Sequence, residues 1–228
     1  MPNLGGGNLE LVINSFWPLF KAGLIVTVPL TLLSFALGLA GAFLVALMRI
    51  SKFKSLSFIA AIFVWVIRGT PLIVQLFVIF YGLPKVGIVF TPFVSATIGL
   101  TLSQSAYNSE VIRSALISIS KGQWEATKAL GLTKLQTMRY VVVPQAALVA
   151  VPPLGNSFIS LLKDTSLVAT LTVAEIFQTG QQITAVTYEP LLLYLEVAFV
   201  YLIFSTGLTY LQQFAEKKLG KHLVEQCD

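Results

Sequence analysis

The chain has 228 residues, 56% of them hydrophobic and 11% charged, with a net charge of +5. Soluble domains carry about 25% charged residues, and a water-soluble globule of this size has too little interior to hide so much apolar surface. Disorder is excluded as well, because disordered chains are poor in apolar residues.

This composition specifies an all-α membrane protein with room for about five helical spans of ~20 residues and no soluble domain. Residues 1–228 are read as a single transmembrane domain. Met1 to Asn14 contains Gly5, Gly6, Gly7 and Glu10 but no basic residue, unlike a secretory signal. The first apolar segment is therefore expected to be retained. It covers residues 17–48, with Trp17 and Lys21 as interfacial anchors, and Arg49, Lys52 and Lys54 follow at once. The second stretch, 56–83, is interrupted by Arg68-Gly69-Thr70-Pro71. A loop with Pro84, Gly87 and Pro92 leads to the third span, 93–112. A polar stretch, 113–139, separates it from the fourth, 140–173. The fourth holds Pro144, Pro152-Pro153 and Lys163-Asp164 and is too long and too polar for one simple helix. Polar residues 174–189 precede the fifth span, 190–211, and a charged tail closes the chain.

Basic residues of short loops stay in the cytoplasm. Arg49, Lys52 and Lys54 follow span one; Arg113, Lys121, Lys128, Lys134 and Arg139 follow span three; Lys217, Lys218 and Lys221 lie in the tail. These are 11 of the 15 Lys and Arg, so the N-terminus is expected outside and the C-terminus inside. The charges follow membrane edges and form no single stripe, which argues against nucleic acid as a partner.

Other chemistry is removed by residue counts. Cys227 is the only cysteine and His222 the only histidine, so an internal disulfide, a multi-ligand Cys/His metal site and a histidine triad are absent. No metal or cofactor is expected. No G-x-x-x-x-G-K-[ST] loop occurs, so any ATP is hydrolysed by a partner. A membrane enzyme has no nucleophile–base constellation to build on.

Pro71 lacks an N–H and Gly69 is flexible, so the second span should break there. Freed backbone groups are tolerated in a membrane only against protein or a water-filled cavity. Thr70 and Gln75 are therefore candidates to line a substrate route; the alternative is a structural kink with Arg68 snorkelling to the inner interface. Tyr107 is a second cavity candidate, whereas Glu110 can be explained by an i,i+3 pair with Arg113. Asn156, Ser157, Ser160, Asp164 and Thr165 recur at helical spacings on the fourth span and would form a polar stripe. They either line a binding face, with Asp164 meeting an ammonium group, or make a helix–helix seam in which Lys163 pairs with Asp164 or Glu196.

The cytoplasmic segment 121–133 reads Lys121-Gly122-Gln123-Trp124-Glu125-Ala126-Thr127-Lys128-Ala129-Leu130-Gly131-Leu132-Thr133. Good helix formers run to Gly131, which is placed as a stop. By residues alone it is either an amphipathic helix on the membrane surface or a docking helix. The run Glu125-Ala126-Thr127, three residues, Gly131, nine residues, Val141-Val142-Val143-Pro144 resembles the E-A-A-x3-G-x9-I-x-L-P motif of membrane subunits of binding-protein-dependent ABC importers. Thr127 replaces an alanine, and valines replace Ile and Leu.

Further stretches resemble the polar amino-acid branch of these permeases. They are Arg68 to Phe77, Ala106 to Glu110 and Pro152 to Leu167. Within that branch, Lys121 to Glu125, Asn156 to Ser160 and Lys163 to Leu167 are similar to the L-cystine importers. Permeases for glutamine, histidine or basic amino acids share much of this. The resemblance implies a permease of the bacterial cytoplasmic membrane that pairs with a second copy, as a homodimer or a heterodimer. It implies a cytoplasmic ABC ATPase dimer and an extracytoplasmic amino-acid-binding protein as partners. Gln123, Trp124, Glu125, Ala126, Thr127, Ala129 and Gly131 would then form the ATPase-coupling helix, and the chain itself would catalyse no reaction. The rival reading, a stand-alone channel or secondary transporter, is disfavoured by five spans with no internal repeat.

Overall fold

The computed structural model describes residues 7–224; Gly5, Gly6 and Cys227 lie outside them. Every regular element among the described residues is helical. Helix α1 (Asn8–Ala22) continues through a π-turn, Gly23–Thr27, into α2 (Val28–Arg49). Helix α3 (Lys54–Gly69) ends where Thr70 and Pro71 adopt extended backbone, and α4 (Leu72–Phe77) begins at once. The proline has no N–H to continue a helix and disfavours helical backbone at Thr70. A π-turn and a 3₁₀ turn carry α4 on to Val86. Helix α5 (Pro92–Ser118) is followed by two short helices, α6 (Lys121–Ala129) and α7 (Lys134–Thr137). Then come α8 (Val143–Asp164), a 3₁₀ segment (Thr165–Leu171), α9 (Ile176–Thr187) and α10 (Pro190–Val224).

Three segments are long and apolar enough to cross a membrane: Leu9–Arg49, Lys134–Leu171 and Pro190–Phe214. The count becomes four if the broken α3–α4 pair is one span. Helix α5 overlaps the third predicted span but falls outside this set. Its low apolarity has a physical reason: Ser95, Thr97, Ser103, Gln104, Ser105, Asn108 and Ser109 are all buried, so its polar groups face protein. The fourth predicted span, 140–173, comprises the end of a π-turn (Met138–Val142), α8, with Pro152 and Pro153 kept inside the helix, and the 3₁₀ segment after Asp164.

The chain forms two compact units. The first contains Met1–Phe35, Pro71–Leu100 and Ile159–Thr209. One of its cores joins Leu30, Leu76, Leu100, Leu161, Val168 and Leu171, and the Tyr81 hydroxyl donates to the Thr170 carbonyl at 3.1 Å. A second core packs α1 on α9 and α10 through Leu19, Ile176, Val197 and Val200, and Phe20 stacks on Phe204 at 5.2 Å.

The second unit contains Ala36–Thr70, Thr101–Phe158 and Tyr210–Asp228. Its apolar core is made of small residues, Ala115, Ala146 and Ala150, with Val111, Leu116 and Leu154 around them. Helices α2 and α5 approach closely here: a Cβ on Gly38 would lie 2.5 Å from the Gln104 Cβ, and the Ser105 hydroxyl donates to the Gly38 carbonyl at 3.2 Å. Small residues and cross-helix hydrogen bonds hold helices together where lipid offers no hydrophobic drive. By sequence, the second unit carries twelve of the fifteen Lys and Arg.

Candidate functional site

In the first unit, Ser160 and Asp164 lie one turn apart at the end of α8. Ser160 is exposed and Asp164 half-buried, and neither makes a hydrogen bond or ion pair among the described residues. Thr165 behaves differently: it is fully buried, and its hydroxyl donates to the Leu162 carbonyl at 2.7 Å. Gln75, on α4, is half-buried.

Two other acids of this unit are taken up by the fold. Glu196 accepts from the Ser15 hydroxyl at 2.5 Å and so ties α10 to α1, not to Lys163, which is exposed. Glu175 caps α9, accepting from the Gln178 N–H at 2.8 Å and from the Tyr201 hydroxyl at 2.5 Å. Burial pushes the Glu175 carboxyl above its usual range, against the pull of the Tyr201 hydroxyl and the backbone N–H groups of Phe177, Gln178 and Ile176. Neither acid is open to a ligand.

In the second unit, Gln104 gathers two groups. Its Oε1 accepts from the Ser157 hydroxyl at 2.8 Å and from Asn108 Nδ2 at 2.9 Å. Asn156 accepts from Gln212 Nε2 at 3.3 Å. The Ser157–Gln104 and Asn156–Gln212 bonds are helix seams, so the polar residues of α8 divide by role: Asn156 and Ser157 are engaged by neighbouring helices, while Ser160 and Asp164 make no hydrogen bond among the described residues. Sequence reasoning missed Gln104, and the run Ser103-Gln104-Ser105 inside an apolar stretch was the available signal. Glu110 pairs with Arg113 at 2.7 Å, the i,i+3 contact expected from spacing, and also with Arg49 at 3.3 Å. Thr70 is exposed and donates to the Val66 carbonyl at 2.9 Å, and Tyr107 is exposed with the Arg68 guanidinium 5.2 Å from its ring centre.

Helix α6 presents one open face. Glu125, Ala126 and Ala129 are exposed, as is Leu130 just beyond the helix end. Trp124 is half-buried, and Thr127 is buried with its hydroxyl donating to the Trp124 carbonyl at 3.0 Å. The threonine that departs from the E-A-A pattern therefore faces this chain's own interior. Gln123 is exposed and accepts from Gln145 Nε2 at 3.2 Å. Gly131 has φ +73°, its N–H donates to Lys128, and the Leu132 N–H donates to Thr127, each at 3.0 Å. That pair of bonds is a Schellman closure, which favours glycine at the left-handed position. A reciprocal Thr133–Gln136 capping box then starts α7.

The family model for the binding-protein-dependent transport system inner membrane component matches residues 36–221. The chain belongs to this family. It is 44% identical over 217 residues to the L-cystine transport system permease protein TcyB of Bacillus subtilis, covering 95% of this chain and 93% of that one. It is 36% identical to the glutamine transport system permease protein GlnP of Escherichia coli K12, covering 90% and 96%. A crystal structure of an amino acid ABC transporter with histidines matches at a TM-score of 0.85 and 35% identity, covering 90% of this chain and 96% of that one. The MetNI methionine ABC transporter, at 20% identity and a TM-score of 0.67, shares the fold. This inner-membrane component is the permease of an amino-acid ABC importer.

Proposed function

We propose that the chain moves L-cystine across the cytoplasmic membrane, driven by ATP hydrolysed on a separate ATPase dimer and fed by an external binding protein. The observation that carries the substrate is 44% identity, over nearly the whole of both chains, to an L-cystine permease. A glutamine permease is 36% identical and a nopaline permease 35%. The permease works as a pair with a second copy of itself; a heterodimer is the alternative arrangement. It is a non-catalytic subunit.

The proposed orientation, N-terminus outside and C-terminus inside, rests on the basic residues of the short connections. It puts the open face of α6 in the cytoplasm, where Glu125, Ala126 and Ala129 seat on the ATPase while Trp124 and Thr127 anchor the helix to its own unit. Closure of the ATPase dimer then pushes α6 and rocks the spans between inward and outward access.

Substrate handling is assigned first to Asp164, an acid on a membrane helix with no hydrogen bond or ion pair among the described residues, which meets the substrate ammonium group; Ser160 is its neighbour one turn earlier. The remaining candidates, Thr70, Gln75, Tyr107, Asn156, Ser157 and Thr165, belong to the walls of the route. For Asn156, Ser157 and Thr165 the internal hydrogen bonds support a positioning role.

Substrate preference is tested by competition. In vesicles holding the permease with its ATPase and binding protein, unlabelled L-cystine should abolish uptake of labelled L-cystine, and equal excesses of L-glutamine, L-histidine or L-arginine should leave most of it. Stronger competition by one of those three would transfer the assignment to that amino acid.

A further inference from the structure

Two apolar grooves on the second unit have Phe43 of α2 and Ile112 of α5 as common walls. One runs on between α5 and α8 past Leu116, Val143, Ala147 and Leu154. The other follows α2 along Ala36, Ala40 and Leu44. Every lining side chain of both is apolar. The first encloses about 190 Å³. That is several times the ~30 Å³ share of a water molecule, and the walls offer water no hydrogen bond. Helices α2 and α8 belong to membrane-crossing segments, so hydrocarbon is at hand to fill both. Charge stands beside the shared walls. Arg49 lies six residues beyond Phe43, about 9 Å along α2, and Arg113 adjoins Ile112. Both arginines bind one carboxylate, that of Glu110, at 3.3 Å and 2.7 Å. Two cations against one anion leave a net positive charge. Arg49 uses only its Nε on Glu110 and keeps both terminal amino groups unused among the described residues, with the side chain 26% exposed. Lys52 and Lys54 follow and add to the positive charge.

We infer that the second unit holds an anionic phospholipid, with one acyl chain in each groove about Phe43 and Ile112 and its phosphate on Arg49 and Arg113. Two hydrocarbon seats next to one excess of cations match two chains on one anionic headgroup. A single-chain amphiphile leaves one groove empty, and a lipid without net charge leaves the cationic excess unmatched. A second copy of the chain is the poorer occupant, because its own second unit carries twelve of its fifteen Lys and Arg and would set cation against cation. Guanidinium groups bind phosphate oxygens through charge-assisted, often bidentate hydrogen bonds, and basic pockets between membrane helices take up anionic headgroups. The site is separate from the substrate route and holds whichever amino acid is imported.

The test uses the permease purified with its ATPase, stripped of lipid in detergent and given back defined lipids, with native mass spectrometry to read what stays bound. Dioleoylphosphatidylglycerol should be held roughly tenfold more tightly than dioleoylphosphatidylcholine, which has the same chains and no net charge. Ala147→Phe and Ala40→Phe each fill one groove and should each weaken retention of the anionic lipid roughly tenfold, the equivalent of about two buried methylenes. Arg49→Gln, Glu110→Gln and Arg113→Gln combined remove both cations without baring the carboxylate, and should bring the anionic lipid down to the level of phosphatidylcholine. Photocrosslinking needs no variant: phosphatidylglycerol with a diazirine in an acyl chain should mark the wild-type peptides that contain Phe43, Ile112 and Ala147. Equal retention of the two lipids, undiminished retention by the triple variant, or undiminished retention by both groove variants would overturn the site. Displacement of the lipid by an equal concentration of inorganic phosphate would make it a free-phosphate site and overturn it too. Crosslinks confined to other peptides, or no retention at all because a second copy covers the grooves, would do the same.

Discussion

Replacing Asp164 with asparagine is expected to lower L-cystine uptake by about tenfold to a hundredfold with the ATPase and binding protein held constant. The residue is half-buried at the end of α8 and has neither a hydrogen bond nor an ion pair among the described residues. A hydrogen bond between a carboxylate and an ammonium group contributes ~1.5–3 kcal/mol, and each 1.4 kcal/mol is a factor of ten. Asparagine keeps the shape and loses the charge, so the loss should fall on initial uptake rate without lowering the melting temperature in detergent. The seam reading makes the opposite forecast: normal uptake with a lowered melting temperature. Ser160→Glu is the companion variant, because Ser160 is exposed one turn away. A second carboxylate there should improve L-arginine as a competitor of L-cystine. Ser157 is a poorer probe, since its hydroxyl is committed to Gln104.

Gly131→Val and Glu125→Trp should each uncouple the importer, abolishing the stimulation of ATP hydrolysis by substrate-loaded binding protein. The two act differently. Gly131 closes α6 with a left-handed turn at φ +73°, and a β-branched residue held there costs about 1–3 kcal/mol, so the helix end should loosen. Glu125 is exposed on the open face, and tryptophan adds bulk where a partner surface must fit. Thr127→Ala, at a position facing inward, should have a smaller effect on stimulation than either. The same region tests the orientation. In a Cys227→Ser background, an impermeant thiol reagent applied to intact cells should label Asn8→Cys and not Glu125→Cys. Labelling of Glu125→Cys from outside, or unchanged stimulation in both uncoupling variants, would remove α6 from the ATPase interface.

Much of the architecture was legible because it rests on local rules. Pro71 had to break a helix and does so between α3 and α4. Gly131 was legible as a stop, and its positive φ shows why glycine suits it. The Glu110–Arg113 pair followed from spacing alone. Features that depend on the facing helix were not legible. Nothing in the sequence separates Ser157 and Asn156, bonded to Gln104 and Gln212, from Ser160 and Asp164, which make no such bond among the described residues. Thr165 shares the stripe's spacing but lies where the α-helix tightens into a 3₁₀ segment, and it turns into the core. Helix α5 reads as a weakly apolar span because its polar residues serve buried contacts, and composition cannot distinguish that from a surface helix. The partner of Arg49 was hidden for the same reason: Glu110 is 61 residues away along the chain.

Import of L-cystine at the expense of ATP is decided by uptake into vesicles reconstituted with the permease, its ATPase and its binding protein. Labelled L-cystine should accumulate only when ATP is present on the ATPase side and loaded binding protein on the other. Ion gradients without ATP should give no uptake. Accumulation driven by a proton or sodium gradient with the ATPase omitted would contradict the account and make the chain a secondary transporter.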